Sequence, residues 1–83
     1  MIVIAGKNNI AVYALEVIVR QFGRHIVTVI PNKNDDGKDS WQRSLRKKAK
    51  ELGVQISSLI EVEKIKDITL FLSLEYDSII FVR

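Results

Sequence analysis

The sequence predicts an α/β fold: about four parallel strands alternating with two to three helices along 83 residues. Three observations carry that prediction. Short β-branched runs alternate with longer segments of helical period. The first run, MIVIA (1–5), is almost wholly apolar, as a strand buried on both faces of a parallel sheet must be. Turn-forming residues close the segments: Gly6, Gly23, Pro31 and Gly53.

Taken in order, MIVIA is strand 1, ended by Gly6. Asn8 or Asn9 then serves as N-cap for a helix over 10–22, IAVYALEVIVRQF, with Ile10, Tyr13 or Ala14, Val17, Ile18 and Phe22 as its apolar positions. Gly23 stands at C′. HIVTVI (25–30) is strand 2, stopped by Pro31, and PNKNDDGKD (31–39) is a loop dense in turn formers. Asp39 with Gln42 three residues on reads as a capping box, opening a helix whose inner face is Trp41, Leu45, Ala49 and Leu52. Gly53 and Val54 give it a Schellman ending. VQIS (54–57) is strand 3, LIEVEKIKD (59–67) a short helix and ITLFLSL (68–74) strand 4. DSIIFVR (77–83) is a fifth strand or an unravelled end.

This order of elements implies right-handed crossovers and the strand order 3-2-1-4. The topological switch then lies beside strand 1, and ligands of open α/β sheets bind in such a crevice. GKNN (6–9) leaves strand 1 there, and SLEYD (73–77) leaves strand 4 opposite it.

Composition excludes several classes. Hydrophobic residues at 47% and charged ones at 28% describe a globular chain, and no run reaches the ~18 apolar residues of a membrane span. Met1 leads straight into IVIA without a basic signal-peptide region. With no cysteine and one histidine, thiolate and multi-histidine metal sites are out, and a reducing cytoplasm is the expected location. A core this small supplies only about 3–5 kcal/mol, so a partner subunit or further chain is expected to add to it.

GKNN lacks both GxGxxG and the Gly-Lys-Ser/Thr phosphate loop, which argues against NAD and ATP sites of those kinds. It offers a turn glycine, helix-start N–H groups, Lys7 and the amides of Asn8 and Asn9. A capped turn and an anion-holding loop both fit. RSLRKKAK (43–50) carries five of the thirteen basic residues, and a solvated outer helix face accounts for them. RNA binding would want exposed aromatics or a second basic patch, and the sequence shows neither. Trp41 is either a core anchor or, because its indole N–H needs a partner, a residue at the crevice rim. His25 falls at the amino edge of the sheet, away from the crevice, so histidine-based nucleophilic catalysis has no parts here. Glu75 and Asp77 lie nearer, but carboxylates on a chain end read as solvated.

IAGKNNIAV (4–12), DSWQRSL (39–45) and LFLSLEYDSII (70–80), at consistent spacing, resemble the start of the N10-formyltetrahydrofolate-dependent formyltransferases. The resemblance is closest to bacterial nucleotide-sugar N-formyltransferases, which formylate dTDP-linked amino-dideoxysugars for surface polysaccharides. It implies a partial Rossmann-like sheet. It also implies that Lys7, Asn8 and Asn9 face the nucleotide-linked amino sugar, that Trp41 and Gln42 lie near its phosphates, and that Ser73, Leu74, Glu75 and Tyr76 border the folate.

The family's catalytic group is an asparagine, a histidine and an aspartate, the first two in an Asn-x-His segment after the strand that matches 70–74. No such segment occurs here, and FVR (81–83) stands where the family has a lysine-proline turn. The resemblance therefore implies that 1–83 is a truncated amino-terminal half of a catalytic domain. Such a piece would be inactive alone, have no catalytic residue or metal, bind no N10-formyltetrahydrofolate, and self-associate through strand 4 or the tail. A frameshift or premature stop is the expected origin. A stand-alone α/β module binding a nucleotide or phosphorylated ligand is the alternative; a basic RNA-binding domain trails both.

Overall fold

The computed structural model describes residues 1–65 and 67–74. Its elements are β1 (Ile2–Gly6), α1 (Asn8–Phe22), a 3-10 turn (Arg24–Ile26), β2 (Val27–Pro31), α2 (Leu45–Leu52), β3 (Gln55–Ile56), α3 (Leu59–Glu63) and β4 (Leu70–Leu74). The sheet is parallel throughout and runs β3-β2-β1-β4, the order the sequence predicts. Glu75, Tyr76 and the 77–83 tail lie outside the described residues.

β1 is central and wholly buried, which is why its sequence is continuously apolar. Its side chains alternate between two cores. Ile2 and Ile4 join Val27, Val29, α1 and α2 on one face, while Val3 and Ala5 join Ile30 and Val62 of α3 on the other. Thr28 is the polar exception inside β2, satisfied by the Gln55 carbonyl at 3.0 Å and the Ser57 hydroxyl at 2.6 Å.

Both long helices differ from the sequence reading in phase or extent. α1 buries Ala11, Val12 and Leu15, with Ile18 and Val19 packed against that core. Ile10, Tyr13 and Phe22 instead face solvent. The segment is apolar around most of its circumference, so period alone does not fix which stripe turns inward. α1 also starts at Asn8, with Lys7 at the cap position and no side-chain cap of its own.

α2 begins at Leu45, five residues later than a cap at Asp39 requires. Its cap is Ser44, whose hydroxyl accepts the Lys47 N–H at 3.0 Å. Leu45 and Ala49 are buried as expected, but Trp41 is outside the helix and 84% exposed. The Schellman ending is present: Gly53 is left-handed (φ 70°), its N–H reaches the Lys50 carbonyl at 3.3 Å, and the Val54 N–H reaches that of Ala49 at 2.8 Å. The true capping box lies in α3, between Ser58 and Glu61. β2 starts two residues late because Arg24–Ile26 form the 3-10 turn, and His25 is exposed there.

The carboxyl ends of three strands meet at Gly6, which pairs with Pro31 on one side and Leu74 on the other. A Cβ on Gly6 would stand 2.2 Å from the Leu74 carbonyl oxygen and 3.1 Å from the Ala11 Cβ. Both obstacles are held in place by packing. Gly6→Ala is therefore expected to destabilise the fold by about 1–3 kcal/mol, as overpacking does. A urea midpoint equal to that of the parent chain would contradict this.

Candidate functional site

A cleft of about 640 Å³ opens at the carboxyl ends of β1 and β2. Lys7 and Asn8 enter it from β1, Asn32 from the end of β2, and residues 34–36 and 38–44 form its outer wall. Asn8 has φ 67°, the one left-handed non-glycine among the described residues, and asparagine is a side chain that tolerates this. The backbone thus turns sharply between strand and helix. The Lys7 N–H donates to the Leu74 carbonyl at 3.2 Å and the Asn32 N–H to the Gly6 carbonyl at 3.0 Å, which ties the turn to both neighbouring strands.

The outer wall has no regular structure and is built on carboxylates. Asp35 accepts the Gly37 N–H at 3.0 Å, the Ser44 hydroxyl at 2.5 Å and the Arg46 N–H at 3.0 Å. Burial opposes its charge, but the Ser44 hydroxyl and the Arg46 and Gly37 amides prevail and hold its pKa below the usual carboxylate value. Asp39 accepts the Ser44 N–H at 2.8 Å and the Lys47 ammonium at 2.9 Å. Those two donors, the amide first, lower its pKa, and Asp39 in turn raises that of Lys47. Asp39 thus organises the start of α2 without being its N-cap.

A second set of bonds fastens this wall to α1. The Asn9 N–H donates to Gln42 Oε1 at 3.1 Å, and Asn9 Oδ1 accepts the Arg43 N–H at 2.9 Å. Gln42 therefore satisfies an orphan N–H in the first turn of α1 from 33 residues away. This, and no capping box, is its role in the structure. The Arg43 guanidinium meets Glu16 at 3.0 Å, and that hydrogen bond outweighs burial to lower the Glu16 pKa.

The structure thus brings five of the sequence-predicted site residues, Lys7, Asn8, Asn9, Trp41 and Gln42, to one place, Asn9 by its bonds to Gln42 and Arg43. Ser73 and Leu74 end β4 directly across β1, as strand order demands, but they line no part of this cleft. The described cleft stands over β1 and β2; the crevice the sequence reading put between strands 1 and 4 extends to residues 75–77, outside the described residues. That reading also passed over Asn32, Asp35 and Ser44, although the turn-rich PNKNDDG signalled a structured loop. Among the described residues no group of histidine, cysteine or carboxylate side chains is placed to hold a metal ion, and no helix is long and apolar enough to cross a membrane.

No protein-family model matches the sequence, and a comparison with curated proteins finds no match. Solved structures do match. One is WlaRD, a sugar 3N-formyl transferase in the presence of dTDP and 5-N-formyl-THF, at 50% identity and a TM-score of 0.88 over 95% of this chain. Another is the N-formyltransferase from Helicobacter canadensis in complex with folinic acid and dTDP-3-aminofucose, at 49% identity, the same TM-score and the same coverage. By sequence and fold, this chain is a relative of the sugar N-formyltransferases. It spans 29% of the length of these two N-formyltransferases, and it carries their fold as a four-stranded parallel sheet with three helices.

The carboxylate-built wall gives this formyltransferase relative a pH dependence with a definite sign. Because the Asp35 and Asp39 pKa values are lowered on folding, their contribution is full above the unfolded value of about 4 and is lost as pH falls through the folded values. The amide signals of Gly37, Ser44 and Arg46 are expected to shift together below about pH 4. In Asp35→Asn the Gly37 and Arg46 part of that response should vanish, and its persistence would rule Asp35 out as the cause.

Proposed function

We propose that these 83 residues form the nucleotide-sugar-facing part of a sugar N-formyltransferase, acting in the cytoplasm on a dTDP-linked amino sugar. The carrying observation is the convergence of loop 7–9 and segment 41–44 on one cleft, in a chain half identical to a protein solved with dTDP. Lys7 and the turn at Asn8 would hold the diphosphate, where ammonium and amide groups suit an anion. Trp41 and Gln42 would stand beside it. In the complete reaction, the formyl group passes from tetrahydrofolate to the sugar amine, a transfer that needs a base to take the amine's proton. The only histidine, His25, is in the 3-10 turn before β2, at the opposite end of the strands from the cleft. On this reading the described residues supply binding, and the base would come from outside them. Ser73 and Leu74, at the end of β4, would form one border of the folate site. We assign 1–83 to the amino-terminal part of the catalytic domain, with Glu75 and Tyr76 continuing the folate border.

Titration with dTDP is the direct test. The amides of Lys7 to Ile10 and the Trp41 indole N–H should shift, with a Kd near the millimolar range because only part of the pocket is present. Lys7→Ala should weaken binding several-fold. Absence of shifts at millimolar dTDP would overturn the reading.

The outer edge of β4, unpaired among the described residues, suggests the second partner. Among the described residues β4 pairs only with β1, and Leu70 is 43% exposed. An unpaired apolar edge invites association, so we propose that copies of the chain shield one another there. Sedimentation should show a dimer or larger species that Leu70→Lys disperses; a clean monomer at high concentration would refute it.

A further inference from the structure

Trp41 is the most exposed large apolar side chain described, at 84%, yet the residue after it is tied to the first turn of α1. The tie is reciprocal. Gln42 Oε1 takes the Asn9 N–H, and Asn9 Oδ1 takes the Arg43 N–H, so two hydrogen bonds close one ring between helix and wall. The Arg43–Glu16 pair adds a third link to α1, about two turns further along. A loop with no regular structure of its own thus acquires a fixed position immediately after Trp41.

Resting on the nucleotide-sugar reading above, we infer that Asn9 and Gln42 are positioning residues. Their side-chain carbonyls hold Trp41 at the rim of the cleft, and the indole, not the two amides, meets the ligand. The chemistry supports the division. Both carbonyl oxygens are already committed within the protein. An indole held in the open at a polar cleft presents a π-face that an aromatic base can stack on, whatever its hydrogen-bonding edge. Preorganisation matters because an aromatic side chain on a loose loop must be ordered at the moment of binding.

Trp41 is the only tryptophan, so its fluorescence anisotropy reports the wall directly. In the free chain, Asn9→Ala and Gln42→Ala should each lower Trp41 anisotropy while far-ultraviolet circular dichroism stays unchanged. Asn9→Asp and Gln42→Glu keep the accepting oxygens but lose the amide hydrogens, and should restore the parent anisotropy. dTDP should quench Trp41 in the parent, and the two alanine variants should require roughly fivefold more dTDP for the same quench. Arg20→Ala, on the exposed side of α1, serves as the control. Unchanged anisotropy in both alanine variants would overturn the inference even if dTDP binds. Loss of anisotropy in the Asp and Glu variants would do the same, since the carbonyls would then not be the acting groups. If dTDP shifts no amide signal in the parent, the nucleotide reading fails, while the anisotropy series still decides the clasp.

Discussion

Everything at the functional end of this molecule depends on a methyl group that is absent. Gly6 sits where β1, β2 and β4 end together, and the Leu74 carbonyl oxygen occupies space that any Cβ at that position would need. Close approach there lets the Lys7 N–H reach Leu74 and the Gly6 carbonyl receive the Asn32 N–H. Those two bonds extend the sheet one residue beyond its last ladder pairs and fix the direction in which the chain leaves β1. Ala11 lies against the same point, so the angle at which α1 departs is set there too. The glycine is required here for space alone: it is not among the positive-φ glycines, and the left-handed turn falls on Asn8 two residues later.

How much of this could be read from the sequence follows from what each part is held by. The sheet was legible because burial on both faces leaves β1 and β2 no room for polar residues except Thr28, and Thr28 has partners in Gln55 and Ser57. Strand order followed from handedness. The phase of α1 was not legible. Ile10, Tyr13, Val17, Ile18 and Phe22 form as regular a stripe as Ala11, Leu15 and Ile18; Ile18 belongs to both, and only close packing against Gly6 and the β1–β2 face selects the second. The start of α2 was misplaced for a different reason. Asp39 and Gln42 have the spacing of a capping box, but each bonds to a group elsewhere: Asp39 to Ser44 and Lys47, Gln42 to Asn9. A spacing rule sees neither partner.

The same contrast explains why some of the residues at the cleft were legible in the sequence and the bonds that hold them were not. Lys7, Asn8 and Asn9 were identifiable because they interrupt an apolar sequence at a strand end. For Trp41 the residues alone offered the crevice rim as one of two alternatives, and the placement of Trp41 and Gln42 near the phosphates came only from resemblance. The wall they belong to is a tertiary object, held by side-chain-to-backbone bonds spanning from 2 to 34 residues, and it has no period to detect. Its polar atoms are nonetheless accounted for, with no buried side-chain nitrogen or oxygen left without a partner among the described residues. Asn9 shows what sequence could not supply: its backbone N–H and its side-chain carbonyl both fasten the wall, to partners 33 and 34 residues away.

Where the cleft lies also bears on how the two substrates of the proposed reaction would be arranged. The cleft occupies the β2 side of the turn at Lys7 and Asn8, whereas Ser73 and Leu74 are on the β4 side, paired with Ala5 and Gly6. Under the nucleotide-sugar reading, the loop that leaves β1 therefore stands between the sugar nucleotide and the folate, with one flank to each. A loop in that position separates two binding tasks and brings their reactive ends together above it. The backbone then serves both flanks at once: the Lys7 N–H fastens the folate side through Leu74, and the Gly6 carbonyl fastens the nucleotide side through Asn32. Both bonds come from the single Gly6–Lys7 peptide unit, so under that reading a distortion on one flank would reach the other through it. Such a coupling would give the turn a reason to be held as tightly as it is.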